Sequence, residues 1–219
     1  MTRLFFPLVA IALVMTFSAC DNNDTFVGSD TITSDIRDVS SFTEIEMEDA
    51  IGATVTFGTE QSVTVRVNDN LVDRVNTTVS RGKLLISLQN GNYRNVDLEV
   101  TIVMPDLNNL KLSDACRANV DGFQGAENMV VDINDASRLT VTNTSVTNLT
   151  ADVMDASNVE AFGLSADEVM VNVRDASTVE ITANNTLSGT VRDASTLRYR
   201  GNPTETVEVA DASRVLDAN

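Results

Sequence analysis

The stretch Val173–Ile181, VRDASTVEI, interrupts an alternating run of apolar and polar residues with the tripeptide Asp-Ala-Ser. The tripeptide, once with Cys in the third place, begins at six positions: Asp114, Asp135, Asp155, Asp175, Asp193 and Asp211. The successive spacings are 21, 20, 20, 18 and 18 residues. Repetition at so narrow a range of periods indicates stacked structural units rather than chance.

Apolar residues stand at fixed places around each tripeptide. Two positions before the Asp are Leu112, Ile133, Val153, Val173, Val191 and Val209, and four positions after it are Ala118, Leu139, Val159, Val179, Leu197 and Val215. Alternation on both sides predicts a strand, a corner and a second strand in every repeat. A period of about 20 residues without helical periodicity predicts an all-β fold, a β-solenoid whose equivalent strands run parallel.

The segments upstream of Asp114 also alternate with a period of two residues, as in SVTVRVN and KLLISLQ. We therefore expect a single solenoid domain over residues 36–219, with the upstream segments forming earlier coils. That length predicts about nine coils in all. The last tripeptide lies within a coil, so its strand is expected to present an open edge through which two copies could associate.

The chain resembles the family named "putative auto-transporter adhesin, head GIN domain", which is common in exported proteins of Bacteroidota. The resemblance is carried by the corners and by three segments: RDVSSFTEIEMEDAIGATVTFG, RGKLLISL and VTIVMPDLNNLKLSDA. It implies a right-handed parallel β-helix and supplies no catalytic residue. The family's corner tripeptide typically reads Gly-Ala-Ser, whereas this chain has Asp in the first place of all six copies.

The six aspartates form a predicted ladder at the corners. We expect the Ala to fit the inside of the corner and the carboxylate to accept the N-H two residues on, as in an Asx turn. Five of the six corners have an arginine nearby that could neutralise the ladder: Arg117, Arg138, Arg174, Arg192 and Arg214. The alternative is a column of Ca²⁺ ions bridged by carboxylate oxygens, which the neighbouring arginines disfavour.

The N-terminus predicts export and lipid attachment. Arg3 precedes an apolar run that is too short to span a bilayer, so residues 1–19 are predicted to be a signal peptide. The sequence Phe17-Ser18-Ala19-Cys20 resembles the lipobox of bacterial lipoproteins, which implies lipidation of Cys20 and an outer-membrane anchor. Residues 20–35 are predicted to be a flexible acidic tether because they contain little to bury.

Composition excludes several functions. The net charge of -17 repels phosphate backbones, so we expect no nucleic-acid partner. The sequence has no His and only two Cys, which rules out Ser-His-Asp and Cys-His nucleophile pairs and thiolate zinc sites. We therefore expect no catalytic residue, no cofactor and no resident metal.

The predicted function is that of an envelope protein with an adhesin-like solenoid that binds a surface protein or a glycan. The alternative is a structural or envelope-maintenance lipoprotein that faces the periplasm, and a carbohydrate-active enzyme is a remote third. Asp21 and Asp24 resemble the export tags of surface lipoproteins but lack their denser acidic run. The side of the outer membrane that the domain faces therefore stays open.

Overall fold

The computed structural model describes residues 24–219, and its N-terminal region consists of nine strands and one short helix. The strands are β1 (Thr25–Val27), β2 (Ile32–Arg37), β3 (Glu44–Met47), β4 (Gly52–Phe57), β5 (Ser62–Asn68), β6 (Val75–Ser80), β7 (Lys83–Leu88), β8 (Asn92–Arg94) and β9 (Leu98–Met104). A 3₁₀ helix, Asp69–Arg74, links β5 to β6.

The C-terminal region consists of ten further strands. They are β10 (Asn109–Leu112), β11 (Arg117–Asp121), β12 (Gln124–Ile133), β13 (Arg138–Thr142), β14 (Thr144–Val153), β15 (Asn158–Val173), β16 (Thr178–Val191), β17 (Thr196–Arg200), β18 (Thr204–Val209) and β19 (Arg214–Asp217). All pairings among these strands are parallel. The predicted solenoid is thereby confirmed, with about 5 turns and partner residues about 20 positions apart.

Small aliphatic side chains fill the interior of the coils. Val153 lies beside Val173 and Val173 beside Val191, and all three are fully buried. Along β15 the buried residues follow one another in steps of two, except for two steps of three: Val159, Ala161, Leu164, Ala166, Val169, Val171 and Val173. Each step of three marks a bend, so a coil has three straight runs that turn one apolar edge inward.

Apart from β3 and β4, which pair in parallel with β10 and β11, the upstream strands do not continue the regular coils, and the prediction of about nine coils is wrong. Three pairings in the N-terminal region are antiparallel: β2 with β5, β5 with β9, and β6 with β7. The β6–β7 hairpin turns at Arg81 and Gly82, which both have positive φ. Period-two alternation identifies a half-buried strand but not the direction of its partner, so hairpin strands and coils look alike in sequence.

Residues 25–37 are packed against the domain, which corrects the flexible tether expected up to residue 35. Strand β2 pairs with β5, and β1 pairs with β8. The Phe26 ring lies 5.5 Å from the Tyr93 ring, and the Arg74 guanidinium lies 3.8 Å above Phe26. The predicted signal peptide and Cys20 lie outside the described residues. Across residues 24–219 no helix is long and apolar enough to cross a membrane.

Candidate functional site

The six predicted corners share one backbone conformation. Asp and Ala both lie in the left-handed region at every corner, with φ between +52° and +62°. Two consecutive residues of positive φ form a tight turn, and Asp tolerates this region better than most residues. At the first five of these corners the Ala N-H also donates to the Asp carbonyl of the next coil, as Ala156 does to Asp175 at 2.8 Å. The corners are therefore linked to one another through their backbones.

A seventh corner begins the column. Asp49 and Ala50 have φ of +68° and +57°, and the Ala50 N-H donates to the Asp114 carbonyl at 2.8 Å. Sequence reasoning missed this corner because Ile51 replaces the Ser and because β5 to β9 separate it from the next copy. The signal that could have found it is an Asp-Ala pair that follows the alternating residues of β3.

The third residue of the tripeptide, rather than the Ala, fills the inside of the corner. Ala136, Ala156, Ala176, Ala194 and Ala212 are exposed, whereas Ser137, Ser157, Ser177 and Ser195 are almost fully buried. Each Ser hydroxyl accepts the backbone N-H of the preceding coil's third residue, at 3.0–3.2 Å from Cys116 through Ser195. The predicted Asx bond is therefore wrong, because a hydroxyl of the next coil accepts that N-H.

Cys116 takes the place of a Ser in this hydrogen-bonded column. The residue is fully buried and its thiol is free. Burial raises the pKa of Cys116 to about 12, although the backbone N-H groups of Ile51 and Ala50 act in the opposite direction. A thiol with so high a pKa is not a nucleophile near neutral pH. Cys116 is accordingly a structural residue.

The corner carboxylates face solvent and are only partly neutralised. Arg174 lies 3.6 Å from Asp175, and Arg192 lies 3.6 Å from Asp193. Arg138 instead pairs with Glu160. Arg117 and Arg214 form no ion pair within the described part of the chain, so two of the five predicted arginine contacts are present. In residues 24–219 no three acidic, Cys or His side chains converge as they would around a metal ion.

An open groove lies beside the first corner, where β8 and the segment leading into β9 cover part of the column. Its larger hollow has a volume of about 370 Å³ and includes Ala50, Gly52, Glu99, Arg117 and Asn119. A second hollow of about 240 Å³ shares Ala50, Val96 and Leu98 with the first and is closed by Asp49, Leu88 and Tyr93. We call the two hollows together the first-corner groove.

Hydrogen bonds hold the walls of the first-corner groove in place. Asp49 accepts the Leu88 N-H at 2.8 Å, and the Tyr93 hydroxyl donates to the Gln89 carbonyl at 2.6 Å. Burial raises the pKa of Tyr93 above its ordinary value, so its hydroxyl stays protonated at neutral pH. On the opposite side Asp97 receives two hydrogen bonds from Arg66. These bonds fix the positions of Asp49, Tyr93 and Asp97 around the groove.

Comparison with protein families gives a match over most of the solenoid. Residues 41–203 match the family model described as "Putative auto-transporter adhesin, head GIN domain". The chain belongs to this head GIN family. The matched range contains the first six corners of the column, from Asp49 to Asp193, and all of the first-corner groove. A search of curated proteins finds no match.

Solved structures share the fold of this head GIN domain. A "putative adhesin" from Bacteroides fragilis is 18% identical, with a TM-score of 0.62, over 87% of this chain and 98% of its own. A "putative lipid binding protein" from Parabacteroides distasonis is 12% identical, with a TM-score of 0.61, over 90% and 100%. A "putative adhesin" from Parabacteroides merdae is 16% identical, with a TM-score of 0.56, over 90% and 100%. At these identities the likeness concerns the fold alone.

Proposed function

We propose that this head GIN protein is a lipid-anchored, non-catalytic binding protein that acts on the outer surface of a bacterial envelope. The observation that carries the proposal is one long polar sheet face. Neighbouring strands join side by side in the order β2, β5, β9, β4, β11, β13, β15, β16, β17 and β19. At about 4.8 Å per strand this face extends for about 43 Å.

The outward side chains of this face favour contact with a hydrated partner. A row of short polar residues crosses five adjacent strands in matched register: Thr64, Thr101, Thr54, Asn119 and Thr140. Hydroxyl and amide groups form hydrogen bonds with polar surfaces, directly or through water, without requiring a large apolar patch. Such a face is better suited to binding a polar surface protein or a glycan than to binding an apolar partner.

A non-catalytic role is supported by what the side chains lack. The sequence contains no His, and burial raises the pKa of Cys116 to about 12, which removes the remaining thiol nucleophile. The corner aspartates are all solvent-exposed and have similar surroundings. Nothing in those surroundings would make one of them a general acid and another a general base. Membership of an adhesin family agrees with this interpretation.

Lipidation of Cys20 would place a defined end of the domain next to the membrane. Only residues 21–24 separate Cys20 from β1, and four residues extend for at most about 14 Å. The β1 and β2 end would then lie near the bilayer, and the C-terminal coils would extend away from it. The polar face would run outward from the membrane.

The test is the accessibility of a copy that carries an epitope tag after Asn219, probed with protease and antibody on intact cells. A periplasmic protein serves as the control. We expect labelling of intact cells for the wild-type chain and release of Cys20→Ser from the membrane fraction. Protection of the tag until the outer membrane is broken would contradict the proposal and would favour the periplasmic structural role.

A further inference from the structure

We infer that the first-corner groove is a binding site for a single residue of a neutral glycan. The inference rests on the proposed function and deepens it, because it names the ligand class and the place on the solenoid where the ligand binds. Four features of the groove carry it: a missing side chain, free hydrogen-bond donors and acceptors, an apolar wall, and a charge balance that disfavours anions.

The hollow exists because Gly52 leaves a gap in a row of outward side chains. Residues Arg66, Glu99, Gly52 and Arg117 lie side by side on β5, β9, β4 and β11. The other three members of the row carry long side chains. A Cβ at Gly52 would lie 2.7 Å from both carboxylate oxygens of Glu99, so the Glu99 side chain leans over the gap. A glycine here creates a recess in an otherwise continuous surface.

The groups around the gap are free to bind a ligand. Glu99, Arg117 and Asn119 line the hollow and are exposed, and their side chains have no hydrogen-bond or ion-pair partner in the part of the chain that the structure describes. A carboxylate accepts two hydrogen bonds, a guanidinium donates several, and an amide does both. Adjacent hydroxyls on a sugar ring donate and accept at once, so this combination of groups matches a diol.

The other side of the groove offers a non-polar surface. Val96 and Leu98 are shared by the two hollows, and the Tyr93 ring closes the smaller one. All three side chains are half-buried, so their exposed edges form a fixed wall. The C-H face of a sugar ring packs well against such a surface because burying apolar area is favourable. The larger hollow has a volume of about 370 Å³, which leaves room for one sugar ring.

Charge selects against anionic ligands. Asp49, Asp97 and Glu99 surround the groove, and the net charge of the chain is -17, so an anionic sugar is repelled. The hydroxyls of a neutral sugar satisfy both the Glu99 carboxylate and the Arg117 guanidinium without this repulsion.

The experiment measures binding of methyl glycosides of neutral hexoses and N-acetylhexosamines to the folded domain by amide chemical-shift titration. Methyl galacturonate and methyl sialoside are the anionic comparators. Two variants disable the groove: Arg117→Gln removes a donor, and Gly52→Thr fills the gap. Arg214→Gln is the matched control, because Arg214 lies in the same register at the far end of the face, on β19, and forms no ion pair within residues 24–219.

We expect at least one neutral glycoside to shift amides of residues 50–52, 96–99 and 117–119, and both groove variants to weaken its affinity at least tenfold. Arg214→Gln should bind like the wild type. Failure of every neutral glycoside, stronger binding of the anionic sugars, or equal binding by Gly52→Thr would overturn the inference. If groove variants still attach to cells as the wild type does, the groove inference fails while the proposed adhesive function stands. Absence of labelling on intact cells in the epitope experiment would instead contradict the proposed function.

Discussion

The N-terminal and C-terminal regions of the solenoid differ in how their strands pair. From β10 to β19 every pairing is parallel and every corner bonds to the next in the same way. From β1 to β9, antiparallel pairs and a 3₁₀ helix surround a single corner at Asp49. Regular coils produce flat faces, because equivalent residues lie directly above one another. Irregular connections produce recesses, and the first-corner groove lies where the two regions meet.

The largest expected effect is the loss of stability when a side chain is added at Gly189, where two stacked coils lie in close contact. Gly189 has φ of +124°, and a Cβ there would lie 1.8 Å from the Val171 carbonyl oxygen of the coil below. We expect Gly189→Ala to lower the free energy of unfolding by about 4 kcal/mol or more, because a backbone atom cannot move aside. Urea unfolding followed by circular dichroism measures the loss.

The matched control for Gly189 lies in the N-terminal region. Gly82 also has positive φ, but nothing lies within 4 Å of a Cβ built on it. Gly82→Ala should therefore cost only about 1–2 kcal/mol, the usual penalty for a left-handed residue with a side chain. Equal losses for the two variants would contradict the view that stacked coils constrain the backbone more tightly than hairpins do.

The next effect tests the buried Ser column of the coils. Ser177 Oγ accepts the N-H of Ser157 at 3.2 Å, and Ser157 is only 2% exposed. Ser177→Ala should reduce stability by about 1–3 kcal/mol, because it leaves a buried donor unpaired. Amide hydrogen exchange at Ser157 should accelerate in parallel with the change in urea midpoint.

Two further variants separate the hydrogen bond from the volume of the side chain. Ser177→Cys should retain part of the stability, because Cys116 occupies the equivalent place in the natural column. Ser113→Ala should cost less than Ser177→Ala, since the Ser113 hydroxyl makes only a long bond of 3.4 Å, to the Met47 carbonyl. A Ser177→Ala variant as stable as the wild type would show that the column contributes nothing.

The regular region could be predicted from sequence, and the irregular region could not. The repeated Asp-Ala-Ser and its apolar neighbours identify the corners, the parallel stacking and the period, because each coil uses the same local signals. The inward direction of the Ser was also readable: Val173, Ser177 and Val179 are separated by even steps, and all three are buried. The prediction erred by placing Ala176 inside instead.

The candidate groove, in contrast, depends on contacts that no local pattern encodes. Gly52 and Glu99 are far apart in sequence and meet only because β4 pairs with β9. That pairing follows two antiparallel excursions, β5 and the β6–β7 hairpin, whose directions the alternation does not specify. A recess made by a missing side chain becomes visible only when its neighbours are known.

A smaller effect tests the junction between the two regions, where Glu46 of β3 binds Lys83 of β7 and Lys111 of β10. Hydrogen bonds from Lys111 and Lys83 lower the pKa of Glu46. Its contribution is therefore complete above its ordinary pKa of 4.5 and is lost as pH falls through the lowered value. Glu46→Gln should cost about 0.5–1 kcal/mol at pH 7 and progressively less in acid.

The control for Glu46 is Glu160→Gln, which removes a longer and more exposed pair with Arg138 at 3.6 Å. We expect a change within about 0.5 kcal/mol at every pH. Urea unfolding of both variants across the acid range gives the comparison. A Glu46→Gln loss that does not shrink in acid would show that packing, and not the ion pairs, is what the glutamate contributes.

The smallest effect arises because stacking can place like charges together. Asp132 of β12 lies beside Asp152 of β14, whereas Glu46 at the junction lies between two lysines. Burial, and then the charge of Asp152, raises the pKa of Asp132 above its ordinary value of 3.8. The fold therefore favours the protonated form, and stability falls as pH rises from the ordinary value through the raised one.

Replacing Asp132 with Asn should remove that loss and keep an oxygen that accepts the Asn134 amide, now at 3.3 Å. We expect Asp132→Asn to stabilise the protein by up to about 0.5 kcal/mol at pH 7 and to match the wild type in acid. Asp152→Asn is the contrasting variant, because it also gives up Arg174 at 3.8 Å and should gain less. Either variant removes the same repulsion between the two carboxylates, so the two gains differ only through the burial of Asp132 and the Arg174 contact of Asp152. A larger gain from Asp152→Asn than from Asp132→Asn would therefore contradict the view that burial of Asp132 makes its charge the costlier of the two.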